Sequence, residues 1–180
     1  MNVTNEQIQL ARRPVGTPVM EDFAFVEAPV ASPEDGELLV RTVYVSVDPY
    51  LRGRMQDAKS YIPPFQLGEV ISSGVIAQVV ESKSDQFAKG DLVLGALGWQ
   101  RYTITRAEAV RKIDASIEPV TLHLSMLGMT GLTAYFGLLD IGQPKEGETV
   151  VVSGEALMGI IADRWIQAQK LLGSSDLSNR

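Results

Sequence analysis

Tyr50 has the side chain best suited to small-molecule chemistry in this sequence. A phenol can stack on a conjugated system and donate a hydrogen bond to its oxygen. Tyr50 follows Asp48-Pro49 and is followed by Arg52 and Arg54 on either side of Gly53. The same spacing also suits a half-buried tyrosine with its hydroxyl in solvent, flanked by surface charge. One of the arginines can hold Asp48 or shape a pocket, and Asp48 reads as the N-cap of a short helix with proline at its first position. A second group is Met129-Thr130 between Gly128 and Gly131, where missing Cβ atoms let a backbone come close to a ligand or to a crossing helix. Tyr61, in SYIPPF, is a candidate for a pocket rim. His123, the only histidine, stands near the start of an apolar helix and reads as a satisfied helix-end residue, not a catalytic base. Trp99 and Trp165 read as packing residues.

Zero cysteines exclude disulfides, thiolate nucleophiles and Cys-based zinc sites, and with one histidine no metal site is expected. A net charge of −6 argues against nucleic acid or an anionic membrane, since phosphate binding needs a basic face. No stretch approaches the roughly 18 consecutive apolar residues of a membrane span. The N-terminus MNVTNEQIQLARR lacks the apolar core of a signal peptide, so cytoplasm is the expected location. With 180 residues, 45% hydrophobic and 21% charged, the composition is that of a globular domain with one sizeable core.

These residues need elements to hold them. ELLVRTVYVSV (37–47) alternates apolar and polar residues over much of its length, the pattern of a half-buried strand. Gly68 to Val80 reads as a second strand, with close backbone approach at Gly74. FAKGDLVLG is a glycine turn entering a third, and WQRYTITRAEAVRKI a further strand pair. Short strands with Gly/Pro turns up to Ile113 are the grammar of a small barrel or sandwich. From Pro119 to Leu139 apolar residues fall at helical spacing, which predicts two helices meeting near Gly128 and Gly131, the second ending at Gly142. TVVVSG (149–154) then suits a central parallel strand buried on both faces. Beyond Gly154 only Gly159 can serve a phosphate loop, Ile160–Leu172 reads as an amphipathic helix, and SSDLSNR as a disordered end.

YVSVDPYLRGRM (44–55), LGEVISSGVIAQVVES (67–82), FAKGDLVLG (87–95), LGMTGLTAYFGLLDIG (127–142) and KEGETVVVSG (145–154) occur in one order and spacing. Together they resemble the medium-chain dehydrogenase/reductases, in their leukotriene/prostaglandin reductase and alkenal double-bond reductase branch. The resemblance covers roughly residues 5 to 154. It implies a mainly β fold with α elements: a GroES-like β-barrel catalytic domain (1–120), then connecting helices and the first strand of a truncated Rossmann-type domain (121–154), then an atypical helical tail (155–180). Zinc-containing relatives carry a Cys-based ligand where this chain reads Ser46-Val47-Asp48, and a Gly-His-Glu histidine where it reads Leu67-Gly68-Glu69. A zinc-independent enzyme is therefore implied.

The implied reaction is hydride transfer from NADPH to the β-carbon of an α,β-unsaturated aldehyde or ketone, with protonation at the α-carbon. Tyr50 would line the pocket and polarise the carbonyl, with Arg52 as a weaker candidate. Met129 and Thr130 would face the nicotinamide, and Gly154 would be a remnant of the phosphate site. The family is about twice this length, with a returning C-terminal segment that completes the barrel, so this chain reads as a truncated N-terminal portion. A fragment and a frameshift near codon 155 both fit the loss of pattern. Whether it is an enzyme by itself stays open. The alternative is a catalytically silent domain that folds, and self-associates as a homodimer, without cofactor. A co-chaperonin would explain the barrel but not GMTGLTAYFGL.

Overall fold

A computed structural model describes residues 4–145 and 148–151, and the chain divides into two compact units, Met1–Ile117 and Glu118–Arg180. The regular structure of the first unit is mostly strand. Two strands, β1 (Thr4–Leu10) and β2 (Phe23–Pro29), form an antiparallel ribbon. Five more build an antiparallel sheet: β3 (Glu37–Val45), β4 (Ser72–Ser82), β5 (Leu92–Gly98), β6 (Tyr102–Arg106) and β7 (Val110–Lys112). Their order is β6-β3-β4-β5-β7. The ribbon closes onto this sheet by main-chain bonds. Ile8 N donates to Trp99 O at 2.8 Å, Arg101 N to Glu6 O at 2.9 Å and Ile71 N to Ile8 O at 3.0 Å. The fold is mainly β with a small helical share, a curled strand-rich unit, as the sequence implied.

Inward residues of β3, β4, β5 and β7 make the main core, with Leu38, Val40, Val75, Ala77 and Val93 fully buried. The β3 segment departs from simple alternation, because Leu38, Leu39 and Val40 are buried in succession. The register of β3 on β4 shifts between Leu39 and Val40, and such a bulge turns a consecutive residue to the same side. The glycine turn of FAKGD is formed, with Gly90 at φ +97° where a side chain would be strained. β4 starts at Ser72, later than Gly68, because Gly68 occupies a turn at φ +80°. A smaller cluster of Leu10, Leu51, Met55, Phe65 and Ile71 joins the ribbon to a five-residue helix, α1 (Tyr50–Arg54).

The second unit differs from expectation. Val120–Leu124 is a 3-10 turn, not a full helix, and α2 (Met129–Tyr135) runs on as a π-helical segment to Gly142, ended by Gln143 at φ +46°. Thr149–Val151, the described part of the expected buried strand, forms no strand, and Val151 is 83% exposed. A parallel strand exists only through ladder partners, and no described strand pairs with this run. Gly154, Gly159, Trp165 and the expected helix over 160–172 lie outside the described residues.

Candidate functional site

Tyr50 opens α1, and its ring packs half-buried against the Leu10–Leu51–Met55–Phe65–Ile71 cluster. Burial raises the phenol pKa above its usual value of 10.0, and the neighbouring Asp48 raises it further. Arg54 opposes the shift by its charge and by a hydrogen-bonding contact, and Tyr61 adds to it. The sign matters chemically. A phenol held protonated through the neutral range is a hydrogen-bond donor, not an anion.

Asp48 does not cap α1. Pro49 takes the cap position at φ −55° and ψ −33°, while the Asp48 carboxylate accepts the Ser46 hydroxyl at 2.6 Å. No side-chain bond caps the first helical amides. The arginines are occupied as well. Arg52 donates from Nη2 to Gly16 O at 2.8 Å and Pro14 O at 3.1 Å, and from Nε to Gly16 O at 3.0 Å. Arg54 donates from Nε to Pro63 O at 3.0 Å, with its guanidinium carbon 3.9 Å from the centre of the Phe65 ring. Arg13 adds bonds of 3.0 Å to both Met55 O and Phe65 O. Tyr61, 89% exposed, stands out from the loop these contacts close. The roles of Arg13 and Phe65 were not legible in sequence, because each depends on a partner tens of residues away or on a carbonyl, which every residue carries.

A second feature of this unit is an open groove of about 680 Å3. Ile8, Phe25, Val26, Val45, Val47 and Trp99 form its apolar walls, with polar lining from both the ribbon and the sheet. The polar groups there are satisfied: Trp99 Nε1 donates to Ser73 Oγ at 2.7 Å, Thr42 Oγ1 to Gln100 O at 2.6 Å, and Arg101 pairs with Glu6 at 2.6 Å. The apolar ones are not all covered, with Phe25 64% and Val47 76% exposed.

In the second unit Met129 is 60% exposed, and the Thr130 hydroxyl donates to Ser125 O at 2.8 Å. Gly131 is required by close packing, since a Cβ there would lie 1.7 Å from Met126 O. Gly128 is similarly tight, 2.6 Å from His123 O. Both glycines thus bring backbone against backbone. His123 is buried in the 3-10 turn. Among the described residues no glycine-rich strand-to-helix turn is present to receive a pyrophosphate, so they do not by themselves fit a dinucleotide. Gly154, the remaining candidate, lies outside them.

Residues 6–113 match a family model described as the N-terminal domain of oxidoreductase. YfmJ of Bacillus subtilis, named as an NADP-dependent oxidoreductase, is 57% identical over 97% of this chain and 50% of its own length. The chain belongs to the NADP-dependent medium-chain reductases. The NADPH-dependent curcumin reductase of Escherichia coli is 50% identical over 83% of this chain and 43% of its own. The crystal structure of CurA from Vibrio vulnificus in complex with NADPH superposes with a TM-score of 0.83 at 43% identity, covering 91% of this chain and 49% of that one. The family implied by the motifs is therefore confirmed, and this chain spans about half the length of the curated relatives it matches.

Proposed function

We propose that this chain is the substrate-binding portion of an NADPH-dependent reductase of the C=C bond in α,β-unsaturated aldehydes and ketones. One observation carries the reading. Tyr50 is half-buried on an apolar cluster, and burial, with the Asp48 charge adding to it, keeps its hydroxyl protonated. Such a group can stack on a flat enone and donate to its oxygen, stabilising the charge that builds there as the double bond is reduced. NADPH would supply the hydride when bound, and the described residues of this chain contribute the substrate side. Arg52 then acts through the 14–16 segment that it holds, and Met129 and Thr130 remain candidates for cofactor contact.

The reaction proposed is zinc-independent. Ser46 and Asp48 bond to each other where zinc relatives supply a Cys-based ligand. Gly68, standing in place of their histidine, adopts φ +80°, a conformation that a histidine rarely takes. The proposed domain limits are 1–120 for the catalytic barrel and 121–154 for the start of the cofactor domain, in a cytoplasmic protein acting on small molecules.

Two measurements test this. Saturable NADPH binding by calorimetry, with a dissociation constant of about 1 μM (about −8 kcal/mol), would show that residues beyond 151 complete a phosphate site. In a protein carrying the whole cofactor domain, Tyr50→Phe is expected to lower enone turnover about 10- to 100-fold while leaving NADPH affinity unchanged. Unchanged turnover removes Tyr50 from the mechanism. The open groove favours a second reading, a silent domain that self-associates. That reading requires a dimer in light scattering and no NADPH binding at millimolar cofactor.

A further inference from the structure

We infer that the groove between β2 and β3 is a slot for one β-strand, and that a second copy of this chain fills it with its run Thr149–Val151, in reciprocal exchange. The inference rests on the second reading above, the self-associating domain, and names its contact surface.

The slot follows from the parity of the main-chain bonds. In an antiparallel ladder, successive residues turn their N–H and C=O groups to opposite neighbours. On β1, Glu6, Ile8 and Leu10 bond away from β2, as in Arg101 N to Glu6 O, Ile8 N to Trp99 O and Leu10 N to Glu69 O. Phe25 lies opposite Ile8, and Glu27 opposite Glu6. Phe25 and Glu27 therefore present their main-chain groups on the outer edge of β2. On β3 the register against β4 shifts between Thr42 and Tyr44, and beyond the shift Ser46 N donates to Gly74 O at 2.8 Å. Val45, one residue before, must then turn its main chain away from β4. That is the side on which β6 pairs with β3 over Glu37–Arg41 and no further. No described strand pairs with the outer edge of β2. Phe25, Glu27 and Val45 all line the groove, so two open edges flank one space.

Its size fits. Strands about 4.8 Å apart, layers about 10 Å apart and a rise of about 3.3 Å give roughly 160 Å3 per residue. The groove of about 680 Å3 therefore holds about four residues. What enters must have both edges free, which rules out any strand already between two neighbours. Thr149–Val151 meets this condition, since no described residue bonds to its main chain and Val151 is 83% exposed. All three residues are β-branched, the class that packs best on a pleated surface. None is charged, so insertion places no second carboxylate beside Glu27. Each copy has one slot and one run, so reciprocal exchange closes a two-fold dimer. An interface this small is expected to be weak, with a dissociation constant of about 10–100 μM.

Sedimentation of the 180-residue chain, from about tenfold below that range to tenfold above it, should show monomer passing to dimer. Hydrogen exchange of the 23–29 and 43–47 amides should slow over the same range. Val150→Pro removes a donor from the inserted strand without touching any described bond, and should weaken the dimer at least about tenfold. Val150→Thr keeps the N–H and the β-branch and should leave it intact. A monomer at every concentration overturns the proposal. A dimer that Val150→Pro does not weaken, or that leaves those amides unprotected, also overturns it. In that case self-association stands and runs through another surface. A synthetic peptide of residues 148–153 gives a check that needs no variant. At millimolar concentration it should protect the same amides in the dilute chain and release monomers from the dimer, and no protection overturns the slot.

Discussion

Two surfaces of the strand-rich unit rest on the same small cluster, and they are finished in opposite ways. Tyr50 packs on it from α1, and Ile8 and Trp99 pack on it from the groove. On the Tyr50 side three arginines spend their donors on main-chain carbonyls of the 13–16, 55 and 63–65 segments, drawing distant pieces of chain into one wall. On the groove side the polar atoms are also paired, but Phe25 and Val47 keep most of their surface in water. Polar satisfaction is thus general, since an unpaired buried polar group is costly wherever it lies. Apolar closure is local. Leu51, Met55 and Phe65 are buried beneath the Tyr50 side, whereas Phe25 and Val47 on the groove side are not. The Tyr50 wall is therefore the part whose shape this chain fixes by itself.

The largest expected effect comes from the element both surfaces share. Ile71→Ala removes a fully buried side chain from the cluster and should cost about 2–5 kcal/mol in urea unfolding. A loss under about 1 kcal/mol would mean that the cluster does not bear on either surface. Next comes Arg13, on the Tyr50 side. Arg13→Ala withdraws a charged donor from Met55 O and Phe65 O, an expected loss of about 1.5–3 kcal/mol. Trypsin should then cut faster at exposed Lys59, inside the loop whose neck Arg13 holds, and an unaltered rate there would break the contrast.

Legibility in the sequence followed the same divide between local and non-local causes. The strands from 37 to 113 were readable because alternation, glycine turns and β-branched residues are local signals, and the motif DPYLRGRM was specific enough to single out Tyr50. β1 was not readable: TNEQIQL is mostly polar, and its strand state comes from pairing with β2 on one edge and with the main chain at 69–71 and 99–101 on the other. Capping by Asp48 was a fair local inference, but the helix starts one residue later, with Pro49 at the cap position and Asp48 bonded to Ser46. The run from 149 to 151 looked like a buried strand because Thr149, Val150 and Val151 are all β-branched. Whether valines form a strand depends on ladder partners that the described chain does not provide. Arg54 was visible as a charge, but its ring partner, eleven positions on, was not.

Acid titration separates the two sides further. Asp22, in the turn before β2, has its pKa lowered, chiefly by the Val19 N–H bond and then by Arg12, which pairs with it at 2.6 Å. A carboxylate whose folded pKa lies below its unfolded value stabilises the fold above the unfolded pKa, about 3.9. That contribution is lost as pH falls through the lower folded pKa. The ribbon that walls the groove should therefore loosen below about pH 4. Asp22→Asn should flatten the acid limb of the stability profile, measured by thermal melting from pH 7 down to pH 2.5. An acid limb as steep as before would place the titrating group elsewhere.

The smallest expected effect is the sharpest test of the contrast, because it is predicted to be nearly nothing. Phe25 projects from β2 into the groove with 64% of its surface exposed, so the fold gains little by its presence. Phe25→Ser should leave unfolding stability within about 0.5 kcal/mol of the parent chain, the range of ordinary surface substitutions. A buried phenylalanine would cost about 3–5 kcal/mol on truncation to alanine, so the two cases are well separated. A loss near that figure at every protein concentration would mean that the ring is covered within one chain, and the groove would then be a closed core. A loss that grows with protein concentration would mean that a second copy covers it, which is the signature a self-associating domain must show.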